Sequence, residues 1–170
     1  GAGILMQIPH EFLKRESAKA EVRLPEPGRY GVGMVFLPQD VQSREACARR
    51  VEEVVRAEGQ TVLGWRDVPV DDSTLGETAR SSRPFIRQLF VGRGPSITDV
   101  MAFERKLYVI RRLAEKNVAR SNIPGRRDFY VPSLSWKTIV YKGMLNAPQL
   151  REFYPDLADE AVASAIALVH

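Results

Sequence analysis

From Phe129 to Leu145 the chain reads FYVPSLSWKTIVYKGML, and no other stretch limits its fold as tightly. Phe129–Tyr130–Val131 and Thr138–Ile139–Val140–Tyr141 both read as strands, because β-branched and aromatic side chains suit a pleated, half-buried surface. Pro132, Ser133 and Ser135 fall between the apolar segments, and Lys142–Gly143 stops the second strand. The expectation is a core hairpin, and a hairpin with two apolar arms needs further strands and a helical cover to bury it.

The rest of the chain supplies both. Residues 3–8 read as a short buried strand closed by Pro9, and His10 to Lys19 as a short helix with Phe12 and Leu13 on one side. Glu21 to Arg29 holds Pro25, Pro27 and Gly28 and reads as loop. Tyr30 to Leu37 is a second apolar strand; its alternating Gly31 and Gly33 call for a close neighbour on that face. Ser43 is the expected N-cap of a helix carrying Cys47, Val51, Val54 and Val55 on one face, with Gly59 as its stop. Strands follow at 61–65 and 85–91, separated by a polar loop from Asp67 to Pro84.

Ser96 or Thr98 is expected to open the longest helix, whose stripe is Val100, Phe103, Leu107, Ile110 and Ala114. Its other face is basic: Arg105, Lys106, Arg111, Arg112 and Lys116. Asn146 with Pro148 starts a short helix that Tyr154–Pro155 breaks, and residues 162–169 form a last apolar run. Both chain ends read as strands cut through, which suggests a piece of a longer polypeptide. Strands outnumber helices and lack regular βαβ alternation, so the fold class is α+β with two amphipathic helices covering sheet.

Composition narrows function by exclusion. A length of 170 residues suits one domain, and 44% apolar with 27% charged residues is ordinary globular usage, so wholesale disorder is out. No apolar run nears the roughly 20 residues needed to span a bilayer, and no signal peptide is legible. A net charge of +4, dispersed along the chain, makes a weak case for nucleic acid. One cysteine excludes an internal disulfide and a multi-cysteine metal site. These features fit the cytoplasm.

Residue chemistry yields no complete catalytic set. Cys47 has valines as companions and reads as a core thiol; a nucleophile would need a setting that stabilises the thiolate. His10 and His170 lack metal-ligand spacing. Gly92–Arg93–Gly94–Pro95–Ser96 precedes a helix and could present N–H groups to a phosphate, but it fits neither glycine-rich fingerprint and reads as a plain turn. The basic helix face and the loop Gly125–Arg126–Arg127–Asp128 read as solvated or interdomain surface, since Glu104 and Glu115 interrupt the helix charge. Spacing assigns no role to Ser133, Ser135 or Lys142.

Several segments together resemble one family. Gly1 to Pro9 (GAGILMQIP), Tyr30 to Pro38 (YGVGMVFLP), Val62 to Asp71 with Ser73, Phe103 to Tyr108, Phe129 to Leu145, Gln149 to Leu157 and Ala165 to His170 occur in this order in the large chain of glutamate synthase. Where that family commonly has Ser–Arg, this chain has Trp136–Lys137. The resemblance covers essentially all 170 residues. It implies part of one class II (N-terminal-nucleophile) glutamine amidotransferase domain, a four-layer αββα sandwich incomplete in this fragment, lacking its N-terminal nucleophile segment and its C-terminal part.

The resemblance also implies a reaction: L-glutamine is hydrolysed, and its ammonia passes to a flavin site for reductive synthesis of glutamate from 2-oxoglutarate. FMN and an iron–sulfur cluster are implied for the whole protein and none for this fragment. Implied partners are glutamine, the other domains of the same chain and a small electron-transfer subunit or ferredoxin, with no nucleic acid and no membrane. A plant or alga would place it in the plastid. In that family an N-terminal cysteine attacks, with its own α-amine as base. Cys47 is internal, so the expectation is that no catalytic residue, cofactor site or metal site lies here and that the fragment alone is inactive. The alternative is a non-catalytic binding or interaction domain on the same fold.

Overall fold

The computed structural model describes the backbone of residues 1–163 and 166–169, and side chains through Val162. Among the described residues, seven strands form two antiparallel sheets. The three-stranded sheet has β1 (Ala2–Gln7) in the middle, flanked by β6 (Thr138–Gly143) and β7 (Ile166–Val169). The four-stranded sheet has the order β3 (Thr61–Asp67), β4 (Phe85–Gly92), β2 (Tyr30–Leu37), β5 (Tyr130–Ser135). The expected α+β class holds, in a mixed arrangement of two sheets and covering helices.

Strand alternation builds two cores. The even-numbered residues of β2, Tyr30, Val32, Met34 and Phe36, face the space between the sheets, where Ile4 and Met6 of β1 and Ile139 and Tyr141 of β6 meet them. Val35 and Leu37 point the other way, against α2 (Val41–Ala57) and α4 (Val100–Ala119). There Cys47, Val51, Val54 and Val55 of α2 meet Phe103, Leu107, Ile110, Ala114 and Val118 of α4, as their helical spacing predicts. Gly31 permits this packing: a Cβ there would lie 2.6 Å from Leu107 Cδ1, so the missing side chain lets α4 settle on β2. Helices α1 (His10–Lys19), α5 (Ala147–Phe153) and α6 (Glu160–Ala163) add Phe12, Leu13, Leu150, Phe153 and Val162 to the inter-sheet core.

Four expectations need correction. The Phe129–Leu145 stretch is not a ladder-paired hairpin. β5 runs through Pro132 and both serines and pairs with β2, whereas β6 pairs with β1, so Trp136–Lys137 carries the chain from one sheet to the other. Pro132, which has no N–H, is tolerated because β5 is an edge strand. Second, Asp40 rather than Ser43 caps α2; its carboxylate accepts the Ser43 N–H at 2.9 Å. Third, Asp99 caps α4 by accepting the Ala102 N–H at 2.9 Å, in place of Ser96 or Thr98. A carboxylate at either helix start also meets the positive end of the helix dipole. Fourth, the loop between β3 and β4 contains a short helix, α3 (Glu77–Ser82). Asn146 is the N-cap the sequence suggests, the structure adds a capping box with Gln149, and Gly59 lies in the left-handed region after α2.

Candidate functional site

The sequence candidates are scattered rather than gathered. Cys47 is fully buried under α4, where burial pushes its thiol up to about 11. His10 Nδ1 lies 2.6 Å from the Tyr30 hydroxyl, a pair that fixes α1 to β2. His170 lies outside the described residues. Gly94 gives its N–H to Gln60 Oε1 at 2.7 Å, and a Cβ at Gly94 would collide with the Gly59 carbonyl, so the glycine serves a close backbone crossing. Gly125 is left-handed and leads into a 3₁₀ turn at Arg126–Asp128. Among the described residues, no group of three or more His, Cys, Asp or Glu side chains could hold a metal ion, and no helix is long and apolar enough to cross a membrane.

The serines left unassigned by spacing now have definite places. Ser135 Oγ donates to Glu104 Oε2 at 2.6 Å and accepts the N–H groups of Lys137 and Thr138 at 2.9 and 3.1 Å. Glu104 also accepts the Trp136 N–H, so α4 holds the turn where the chain changes sheets. Ser133 Oγ accepts the Val140 N–H at 3.2 Å, a second stitch between β5 and β6. These hydroxyls satisfy backbone groups that would otherwise be stranded at the sheet junction.

Sequence reasoning missed a polar cluster inside the inter-sheet core. Arg66 of β3 forms a two-pronged pair with Asp156 at 2.8 and 2.9 Å; both residues are 5% exposed. Arg66 also donates to Gln88 Oε1 of β4, Gln88 donates to the Tyr141 hydroxyl of β6, and Tyr141 donates to Asp156 at 2.7 Å. The ring of bonds therefore links both sheets to the 3₁₀ turn Pro155–Ala158. Burial opposes the Arg66 charge, but the Asp156 hydrogen bond and charge outweigh it and raise the Arg66 pKa. Burial, aided by the Asp156 charge, raises Tyr141 well above the usual phenol range. The only sequence signal was an arginine amid a strand and an aspartate after Tyr154–Pro155, 90 residues apart.

A groove of about 820 Å³ runs along β1 and β6. Its walls are mostly apolar, with Leu5, Phe36, Ile86, Tyr130, Val140 and Phe153 contributing. Lys142 is at its margin, its ammonium 5.1 Å from the Tyr130 ring centre, while its carbonyl accepts the Tyr154 hydroxyl at 2.7 Å. Gly1, Gly143 and Met144 also line it, at the end of β1 where Ala2 pairs with Gly143. The arrangement offers a concave apolar floor with Lys142, Arg83 and Asp128 as charged side chains at its lining. No cysteine lines it among the described residues.

Sequence comparison with known proteins covers the whole chain. The profile of the glutamine amidotransferases class-II matches residues 1–170. The glutamate synthase [NADPH] large chain of Bacillus subtilis is 48% identical over all of this chain, which covers 11% of that protein. Ferredoxin-dependent glutamate synthase 2 of Synechocystis is 42% identical over the full chain, covering 10% of its length, and glutamate synthase [NADH] of Saccharomyces cerevisiae is 38% identical, covering 8%. The chain thus spans about a tenth of the length of these relatives.

Proposed function

Because the chain belongs to the class-II glutamine amidotransferases, we propose that it forms scaffold of the glutaminase domain of a glutamate synthase. The observation that carries this reading is the unbroken match of all 170 residues to a glutamate synthase at 48% identity. The complete domain hydrolyses L-glutamine, and the ammonia is used with 2-oxoglutarate at a flavin site elsewhere in the polypeptide. Plant relatives bear names that place them in chloroplasts, so cytoplasm or plastid is the expected compartment.

In this reading the 170 residues shape the site and supply no catalytic group. Class II chemistry uses a cysteine whose free α-amine acts as base. The only cysteine here, Cys47, has its nitrogen in a helical peptide bond and its thiol buried. An iron–sulfur cluster held by cysteine thiolates does not fit one buried thiol either, so the implied cluster belongs to other parts of the protein. The outer face of the three-stranded sheet carries the half-buried Leu5 and Val140, which suits a further helical layer and a four-layer αββα sandwich in the whole domain.

The test is glutaminase activity. The purified 170-residue chain should release no ammonia from glutamine above the blank. Release that disappears in Cys47→Ala would overturn the assignment. Sequencing the mature polypeptide decides between this reading and a non-catalytic module on the same fold: a cysteine as residue one supports the enzyme.

A further inference from the structure

The outward face of α4 has a composition that solvent alone does not explain. Met101, Tyr108, Val109 and Leu113 are 70%, 61%, 39% and 39% exposed. Arg105, Arg112, Lys116 and Arg120 are exposed beside them. At 3.6 residues per turn these eight positions share an arc of about 140°. Arg105, Arg112 and Lys116 form its central ridge. Met101 and Tyr108 flank the ridge on one side, and Val109 and Leu113 flank it on the other.

No carboxylate stands on this arc among the described residues, because the nearby acids are turned to other work. Glu104 holds the β5–β6 turn, Glu115 accepts the Val131 N–H, and Glu58 pairs with Lys106 at 3.1 Å. None of the four exposed cations has an ion-pair partner among the described residues. A solvated helix face ordinarily mixes both signs in i,i+4 pairs. Next to the ridge, α2 and α4 leave a groove of about 370 Å³, floored by Val54, Ala57 and Leu113 and edged by Arg50, Lys116, Asn117 and Arg120, with Glu58, the partner of Lys106, as its one carboxylate among the described residues.

We propose that this face of α4 is a docking surface for a separate partner protein whose contact surface carries carboxylates between apolar side chains. Charge complementarity fixes the sign of the partner: four exposed cations with no ion-pair partner among the described residues outnumber the one nearby carboxylate, Glu58, and call for carboxylates to meet them. Arginine, tyrosine and methionine are the residue types enriched where protein surfaces associate. A lipid surface fits poorly, since inserting the apolar flanks would drag the cationic ridge between them out of water. A phosphate backbone fits poorly too, because Met101, Val109 and Leu113 would meet nothing apolar along it.

The experiment places photoreactive p-benzoylphenylalanine at Tyr108 of the full-length polypeptide in its own host, followed by irradiation and sequencing of the cross-linked peptide. The expected product is a second protein joined through a segment rich in Asp, Glu and apolar residues. That protein, once purified, should bind the full-length polypeptide with a Kd raised at least about tenfold by Arg105→Glu/Arg112→Glu. The same pair changed to lysine should retain most of the binding, and neither pair should lower the Tm. The proposal fails if no protein is joined, if the joined segment lacks carboxylates or belongs to the same polypeptide, or if charge reversal leaves Kd unchanged. It also fails if the reversal-sensitive partner is duplex DNA or a phosphatidylserine vesicle.

Discussion

Replacing Asp156 by alanine should be among the most damaging single changes in the chain. Asp156 accepts two bonds from Arg66 and one from Tyr141 in a core where it is 5% exposed. Its removal leaves the Arg66 guanidinium buried, with Glu16 at 3.7 Å as its remaining carboxylate. Breaking a buried pair from one side costs about 3–5 kcal/mol. Orphaning the Tyr141 proton adds about 1 kcal/mol or more. Against a typical stability of about 5–15 kcal/mol, the variant should sit close to unfolding. At about 2–4 °C per kcal/mol for a chain of this size, the Tm should fall by roughly 8–24 °C. Urea denaturation followed by Trp65 and Trp136 fluorescence measures the loss. The double variant Arg66→Met/Asp156→Leu removes both charges and should recover at least half of it, because the desolvation cost disappears with the pair. A loss below about 1 kcal/mol for Asp156→Ala, or a double variant worse than the single, would refute the account of Asp156 as the counter-charge of a buried cation.

Other outcomes follow from the same geometry. Ser135→Ala strands two backbone N–H groups and frees Glu104, so it should cost about 1–3 kcal/mol in urea denaturation and more than Ser133→Ala, which loses a single bond. Tyr30, Tyr141 and Tyr154 are all raised above their ordinary value, chiefly by burial. Their contribution to stability is complete below the unfolded-state pKa near 10 and is lost as pH rises toward the folded values, because only the unfolded chain then releases the protons. Phenolate absorbance near 295 nm should therefore grow together with cooperative unfolding; smooth titration of all three in the folded chain would contradict this. Cys47 should react with a thiol reagent only as the chain unfolds, since its thiol is buried and raised to about 11; rapid labelling of the native chain would contradict it.

Local pattern was enough to determine much of this protein. The valine face of α2, the stripe of α4, the Asn146 N-cap and the apolar runs of β2 and β4 are written in neighbouring residues, because each arises from one helical turn or one short segment. The order of motifs also carried the family. What lay beyond reach was which strand pairs with which. Phe129–Leu145 has the apolar content of a hairpin, yet its arms join different sheets, β5 pairing with β2 and β6 with β1, and such pairings between residues distant in sequence leave no mark in the local pattern. The Arg66–Asp156 cluster was hidden for a related reason: a buried ion pair is stable only when tertiary packing excludes water and supplies Gln88 and Tyr141 as further partners. The stretch that constrains the fold most was therefore legible as two strands, and the three-dimensional structure decided that its function is to carry the chain from one sheet to the other.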